Sequence, residues 1–432
     1  MKNRRFTMTV LLCILSLLFC ALLSVAYGSK AVSFQTVFRS LFHFASDSFD
    51  ASVVQARIPR TVFGILAGAA LAVSGSVMQA VTRNPIADPS ILGVNTGASL
   101  FVVCGIAFFH ISSGNQYIWL AFAGASITAV LVYGLASAGH EGATPVKLAL
   151  AGAAASTALQ SLVNTVMLPN TQVMNQFRFW QTGSISGAAG SDIRLLLPYF
   201  LTGFILCIFL ASSLNTLALG DEAATGLGLN VPLIRAVSTV ASVLLCASTT
   251  ALAGPISFIG LMIPHLVRLL LGSDMRRIIP VSAVCGSCLL LIADVLGRVL
   301  GRPGELESGI ITTLIGAPVF VFIIQKGKGT FSMKKQDISP SAITAGYLKR
   351  QRRYILTTGI LLLLTLSLAA VMMLYGNTIY SPETVLAFFP ETGCRGAAAF
   401  TIRTLRFPRM LTAILCGMAF GLSGNTFQQL LG

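Results

Sequence analysis

Apolar runs of about 20 residues, each closed by a short polar break, follow one another from Phe6 to Gln325. A helix of that length spans the roughly 30 Å hydrocarbon layer of a bilayer. The pattern predicts helices over 6–27, 61–81, 93–111, 117–136, 147–168, 193–213, 233–252, 258–271, 279–297 and 309–325. These ten helices are an even number, which returns the chain to the side on which it starts. Residues 326–353, KGKGTFSMKKQDISPSAITAGYLKRQRR, break the pattern with lysine, arginine and small polar residues. Apolar runs resume at 354–375 and from 409 to near 430. The expected organisation is a ten-helix unit over 1–325, a basic cytoplasmic linker over 326–353, and the start of a second unit over 354–432.

The second unit repeats the first. A shift of 349 sets Arg57, Pro59, Arg60, Ile65, Leu66, Gly68, Ala70, Ser74, Gly75 and Gln79 onto identical residues between Arg406 and Gln428. Shared hydrophobicity does not demand matching arginines, prolines and glycines. Tyr27-Gly28 likewise matches Tyr375-Gly376. Two equal units joined head to tail explain the repeat, and an uninterrupted frame is expected to continue past Gly432 with an Asn-Pro pair like Asn84-Pro85.

Composition sharpens this into an all-α polytopic membrane protein. Hydrophobic residues make up 55% of the 432 positions and charged residues 10%, too few to cover a surface facing water. MKNRR and the apolar run to Ala26 look like a signal peptide, but the KRQRRY run at 349–354 precedes a matching helix deep in the chain, so both read as retained first helices. The net charge of +15 is spread in ones and twos between apolar runs, which argues for membrane topology and against nucleic acid. With a cytoplasmic N-terminus, Arg57, Arg60, Arg298, Arg302, Arg403, Arg406 and Arg409 fall outside, against the inside bias. Lipid phosphate or an acidic partner would each account for them. The nine cysteines lie mostly within apolar runs and read as small buried residues, the Cys285-x-x-Cys288 pair included.

Four stretches carry chemistry. ARIPRTVFGILAGAALAVSGSVMQAVTRNPIADPSILGVNTGA, residues 56–98, sets two arginines about a proline, then small residues that admit a neighbouring helix, then a break at Asn84-Pro85. LNTLALGDEAATGLGLNVPLIR, residues 214–235, is a short amphipathic connector, either an ordinary loop or a docking helix. GPISFIGLMIPHLVRLLLGSDMRR, residues 254–277, contains Pro264, His265 and Arg268; His265 reads as a hydrogen-bonded structural residue and not as a metal ligand. The fourth runs from Asp294 through Arg298 to GAPVF at 316–320, and Asp294, ionisable within a helix, requires a partner inside the bundle. No phosphate loop, H-E-x-x-H or G-x-S-x-G occurs, so neither ATP hydrolysis nor another catalytic activity is expected of the chain itself.

In this order and spacing the stretches resemble the FecCD/BtuC-like permeases of type II ABC importers for iron-siderophores, haem and cobalamin; RIPR, NPIADPSILGVNTGA, ALGDEAATGLG, GPISFIGLMIPHLVR and IGAPVF carry the likeness. Over 1–330 it covers one ten-helix permease, and fused double permeases of the ferric hydroxamate type fit the repeat. The resemblance implies a multi-pass protein of the bacterial plasma membrane, with no cofactor bound directly and ATP used by a partner. It implies that Arg57, Arg60 and Arg298, with Arg406 and Arg409 in the second unit, receive acidic lobes of an extracytoplasmic binding protein. Leu219, Gly220, Asp221, Glu222, Ala223, Gly226, Leu227 and Gly228 would couple to a cytoplasmic ABC ATPase. Asn84, Pro85, Ile86 and Thr144 would lie near the cytoplasmic gate, and Pro264, His265 and Asp294 would be structural. A second permease unit, in another copy, a different chain or the rest of a fusion, would complete the pathway. Two departures weaken detailed gating: Asp274-Met275-Arg276 replaces Asp-His-Arg, and Glu305-Leu306-Glu307-Ser308-Gly309 lacks the family's proline. The competing classes are an ion-coupled secondary transporter and a product without transport role.

Overall fold

The structure is a computed structural model that describes residues 2–28, 30–42, 48–111, 114–138, 144–302, 304–327, 359–360, 362–375, 380–381 and 400–431. The chain forms two compact units, residues 1–331 and 332–432. The described residues form helices joined by turns and short loops, with no strand among them.

In the first unit the helices are α1 Lys2–Ala26, α2 Phe34–Phe42, α3 Phe49–Thr82, α4 Val94–Phe109, α5 Gly114–Ser137, α6 Pro145–Met167, α7 Thr171–Gln181, α8 Gly190–Leu217, α9 Asp221–Gly226, α10 Val231–Ala253, α11 Ile259–Leu271, α12 Met275–Leu300 and α13 Ser308–Gly327. Each of the ten expected spans falls on one of these. In this unit α1, α3, α5, α6, α8, α10 and α12 are long and apolar enough to cross a bilayer, whereas α4 and α11 are shorter. The missing depth comes from non-helical chain. A 3-10 turn, Pro89–Leu92, leads into α4. Residues 254–257 lead into α11, with Gly254 at φ 72 and Phe258 at φ 69. Protein packs closely on both segments, as hydrocarbon depth demands: a Cβ on Gly152 of α6 would stand 1.6 Å from Ile91 O, and one on Gly254 would stand 2.1 Å from Trp180 O.

α3 is the centre of the unit and packs against α8, α10, α11 and α12. Lipid chains are as apolar as leucine, so close van der Waals fit and not hydrophobicity holds these helices together. A Cβ on Gly68 would stand 2.5 Å from Gly286 O, and one on Gly75 would stand 1.8 Å from Gly260 O. Pro264 has no N–H to offer that Gly260 carbonyl four residues back. Between the two contacts, Ser74 and Ser242 each donate a hydroxyl to the other's backbone carbonyl, at 2.9 and 3.0 Å, joining α3 to α10.

The start of α3 departs from expectation. RIPR was expected to precede the helix, yet the helix begins at Phe49 and carries Pro59 inside it. Ser48 caps the end by accepting from Ala51 N–H at 3.3 Å, Asp50 lies in the first turn, and Ala51 and Val54 are buried. Helices α2 and α7 were not expected either. Of the nine cysteines, Cys20, Cys207 and Cys246 are buried as expected, whereas Cys416 is exposed and Cys394 lies outside the described residues.

In the second unit, α14 Leu362–Leu374 and α15 Phe407–Leu431 are described, the latter preceded by a π-helical stretch, Ile402–Arg406. Of the expected linker, Lys326 and Gly327 end α13 and the remainder lies outside the described residues.

Candidate functional site

The first unit has two charged ends joined by α3. At the far end, where α1 finishes, four arginines and two carboxylates meet. Arg60 Nε and Nη2 donate to Asp294 Oδ1 at 3.0 and 2.7 Å, and Nη1 donates to Glu305 Oε2 at 2.8 Å. Arg298, one helical turn beyond Asp294 on α12, sets Nη2 2.8 Å from Asp294 Oδ2 and donates to Ser24 Oγ at 3.1 Å. Arg57 donates to the carbonyls of Val25, Ala26 and Lys30 at 2.9, 3.1 and 2.7 Å, and Arg302 donates to Gly28 O at 2.6 Å. These bonds satisfy the carbonyls that the end of α1 leaves over.

Asp294 therefore has its partners within the bundle. The expectation that Arg57 and Arg298 receive acidic lobes directly meets their burial: Arg298 and Asp294 side chains are 2% and 1% exposed and Arg57 is buried, its donors taken by carbonyls at and just beyond the end of α1 while Arg298 engages Asp294 and Ser24 through Nη2. Arg60, at 13%, keeps an edge toward Glu305, which is 37% exposed. Four arginines against two carboxylates leave the cluster a formal surplus of two positive charges, most of it below the surface. A charged group buried this deeply is tolerated only when paired.

The second unit repeats this local chemistry. Arg406 Nη1 donates to Met373 O and Leu374 O at 2.7 and 3.2 Å, the same two places at the end of the first helix that Arg57 takes in its own unit. Its guanidinium also lies 4.5 Å from the centre of the Tyr380 ring. Arg409 is exposed.

At the near end, where α3 finishes and α10 begins, a connector runs from Leu219 to Gly228. Its helix α9 is one and a half turns long and is bracketed by Gly220 at φ 118 and Gly228 at φ 84, conformations that only glycine holds without strain. Asp221 opens α9 and is paired with Arg83 of α3's C-terminal cap and with Arg235 of α10, the latter at 3.0 and 3.1 Å. Arg83 also donates to Leu217 O at 2.8 Å and sits at φ 50. Ala224 is buried, while Glu222, Ala223, Gly226 and Gly228 are exposed. Leu219 and Leu227 stand out at 66% and 68% exposure.

The Asn84-Pro85-Ile86 break follows directly. Asn84 Oδ1 accepts from Ile86 N–H at 2.9 Å, an Asx turn, and Asp88 then caps the 3-10 turn at Ser90 N–H. Thr144 caps α6 by accepting from Lys147 N–H at 3.4 Å. All four expected gate residues thus sit at the near end, in turns and caps. Pro264 is buried inside α11, and His265 is half-buried with Nδ1 finding no hydrogen-bond partner among the described residues, not the bonded histidine expected.

Sequence reasoning placed α6 but missed its exposed face. Leu148, Gly152 and Val163 bury one side of it, and on the opposite, exposed face Ala153, Thr157, Ser161, Asn164 and Thr165 are interspersed with Val146, Leu150 and Leu168. The hydroxyls of Thr157, Ser161 and Thr165 each donate to the carbonyl four residues back, and Gln160 donates to Asn164 across one turn. With its hydroxyls bonded within the helix, this mixed face accommodates water or another polypeptide as well as lipid. The signal was present in the sequence as the 157-161-165 spacing of hydroxyls. Arg83, Arg235 and Glu305 were likewise overlooked as partners.

Comparison with known proteins agrees with this architecture. The FecCD transport family profile matches residues 16–326 and 360–432. The ferric enterobactin transport system permease protein FepD of Escherichia coli is 40% identical over 314 residues, 72% of this chain and 93% of that protein. The iron(3+)-hydroxamate import system permease protein FhuB of Bacillus subtilis is 39% identical over 316 residues, 73% of this chain and 82% of that protein. A solved structure described as an inward-facing conformation of a metal-chelate type ABC transporter aligns with TM-score 0.65 and 26% identity, over 74% of this chain and 99% of that one. With an all-α membrane bundle, its two charged ends and these relatives in agreement, the chain belongs to the FecCD transport family.

Proposed function

We propose that the chain is a permease subunit of an ATP-binding-cassette importer that brings an iron(III)-siderophore chelate across the bacterial plasma membrane. Its relatives are named for enterobactin and hydroxamate chelates, which supports that substrate class. The observation that carries the reading is the near-end connector: two exposed leucines flanking a short helix that is anchored through Asp221 to α3 and α10 offer a cytoplasmic ATPase an apolar contact. ATP is hydrolysed on that partner and alters this chain only through contact, so the partner must favour one arrangement of the bundle over another. The α6 face supplies the path when a second ten-helix unit covers it, with Asn84, Pro85, Ile86 and Thr144 at its cytoplasmic exit. At the far end the cluster's surplus positive charge steers an acidic binding protein toward the mouth. An ion-coupled carrier is disfavoured, because Asp294, the acid it would use as a relay, is held between two arginines.

Reconstitution of the chain with its second unit, ATPase and binding protein in vesicles tests this. Iron-chelate accumulation that requires ATP and the binding protein is expected. Accumulation driven by an ion gradient with no ATPase present would overturn the proposal.

A further inference from the structure

We infer that Asp221 is the positioning residue through which the near-end connector moves the bundle, an inference that rests on the ATPase-driven reading above. Its carboxylate pairs with Arg83 at the end of α3 and with Arg235, which lies within the first turns of α10 and is buried. Arg83 holds Leu217 O at the end of α8 as well. One carboxylate therefore fixes the connector to the ends of three spanning helices.

The chain path itself fixes less. The connector joins its neighbours through Gly220 and Gly228, both at positive φ, where the backbone turns and no side chain packs within 4 Å of the position a Cβ would take. Leu219 lies on the α8 side of Gly220 and bears on α8 directly, whereas a push on Leu227, which lies between the two glycines, is delivered by the ion pairs as well as by the chain. It arrives at α3 and α10 together, since the paired Ser74 and Ser242 bonds lock those helices to each other farther in. α3 carries it on. At a rise of about 1.5 Å per residue, the 22 residues from Arg60 to Thr82 set the far-end arginines roughly 33 Å away. Movement of a connector and occupancy of a mouth are then coupled through a contiguous, named set of contacts.

The test uses the full complex in vesicles, comparing wild type, Asp221→Asn, Asp221→Glu and Arg83→Lys. Three quantities are read: ATPase retained on purification, ATP hydrolysed, and iron chelate taken up per ATP. Asp221→Asn is expected to keep the ATPase and hydrolyse ATP while uptake per ATP falls about tenfold, a usual size for coupling between sites. Asp221→Glu restores most of it. A purely structural role would lower the yield of complex and leave uptake per ATP unchanged, and that result overturns the inference. If Asp221→Asn sheds the ATPase, Arg83→Lys decides: it loses the guanidinium fork, and unaltered uptake per ATP there overturns the inference as well. Absence of ATP-driven uptake in wild type would sink the underlying reading and this inference with it, and so is distinguishable from a failure confined to Asp221.

Discussion

α3 and α6 are both long apolar helices of the same unit, and they are used in opposite ways. α3 is buried from Ala67 to Thr82 apart from a half-buried Ala69, stitched to α11 and α12 by glycines and to α10 by serines. α6 buries only Leu148, Gly152 and Val163 completely and leaves alanine, hydroxyl and amide groups exposed together with Val146, Leu150 and Leu162. Hydropathy places both in the bilayer and cannot tell them apart. What separates them is the contact each helix demands. Small residues facing another backbone make a core, whereas the exposed hydroxyls and amides of α6 are what the proposed path would use.

The comparison can be broken most forcefully at Gly75. Gly75→Leu drives a side chain into the Gly260 carbonyl and is expected to abolish folded protein in detergent, whereas Ala153→Leu on α6 should shift stability by less than about 0.5 kcal/mol. Equal effects of the two, by thermal unfolding, would erase the distinction. Asp294→Asn comes next. It strips the carboxylate from Arg60 and Arg298 inside the far-end cluster and should destabilise by about 3–5 kcal/mol in a denaturant titration. Adding Arg298→Leu should recover part of the loss.

A third change sharpens the functional side. Ser161→Leu with Asn164→Leu makes the α6 face apolar and should leave stability within about 0.5 kcal/mol while chelate uptake falls severalfold. Normal uptake would mean that the face looks at lipid. The smallest effect is expected from Ser48→Ala, which removes the cap of α3 at a cost of about 1 kcal/mol and slightly lowers the unfolding temperature.

Much of the bundle was legible because bilayer thickness imposes a run length, and ten runs were visible. Helix ends were not. The first turns of α3 carry Asp50, Gln55 and Arg57 and resemble a loop in a hydropathy count; only the Ser48 cap and the burial of Val54 make them helix. α4 and α11 fall short because non-helical chain at Pro89–Leu92 and around Gly254 shares their depth, a tertiary arrangement no local pattern encodes. At the far end the arginines were readable and their burial was not, since Glu305 and the carbonyls of α1 reach them from distant parts of the chain. Asp294 was the exception: a lone acid in an apolar helix announces that it needs a partner. The α6 face escaped notice because its residues are neutral and its hydroxyls bond to their own helix.

The account stands on α6 lining a path worked from the near end. Ser161→Cys, treated in membranes containing the whole transporter with a charged, water-soluble thiol reagent, reports on that directly when labelling is read by mass spectrometry at residue 161. Labelling that rises and falls with the nucleotide held by the ATPase is predicted. A cysteine that stays unlabelled, or is labelled equally in every nucleotide state, contradicts it.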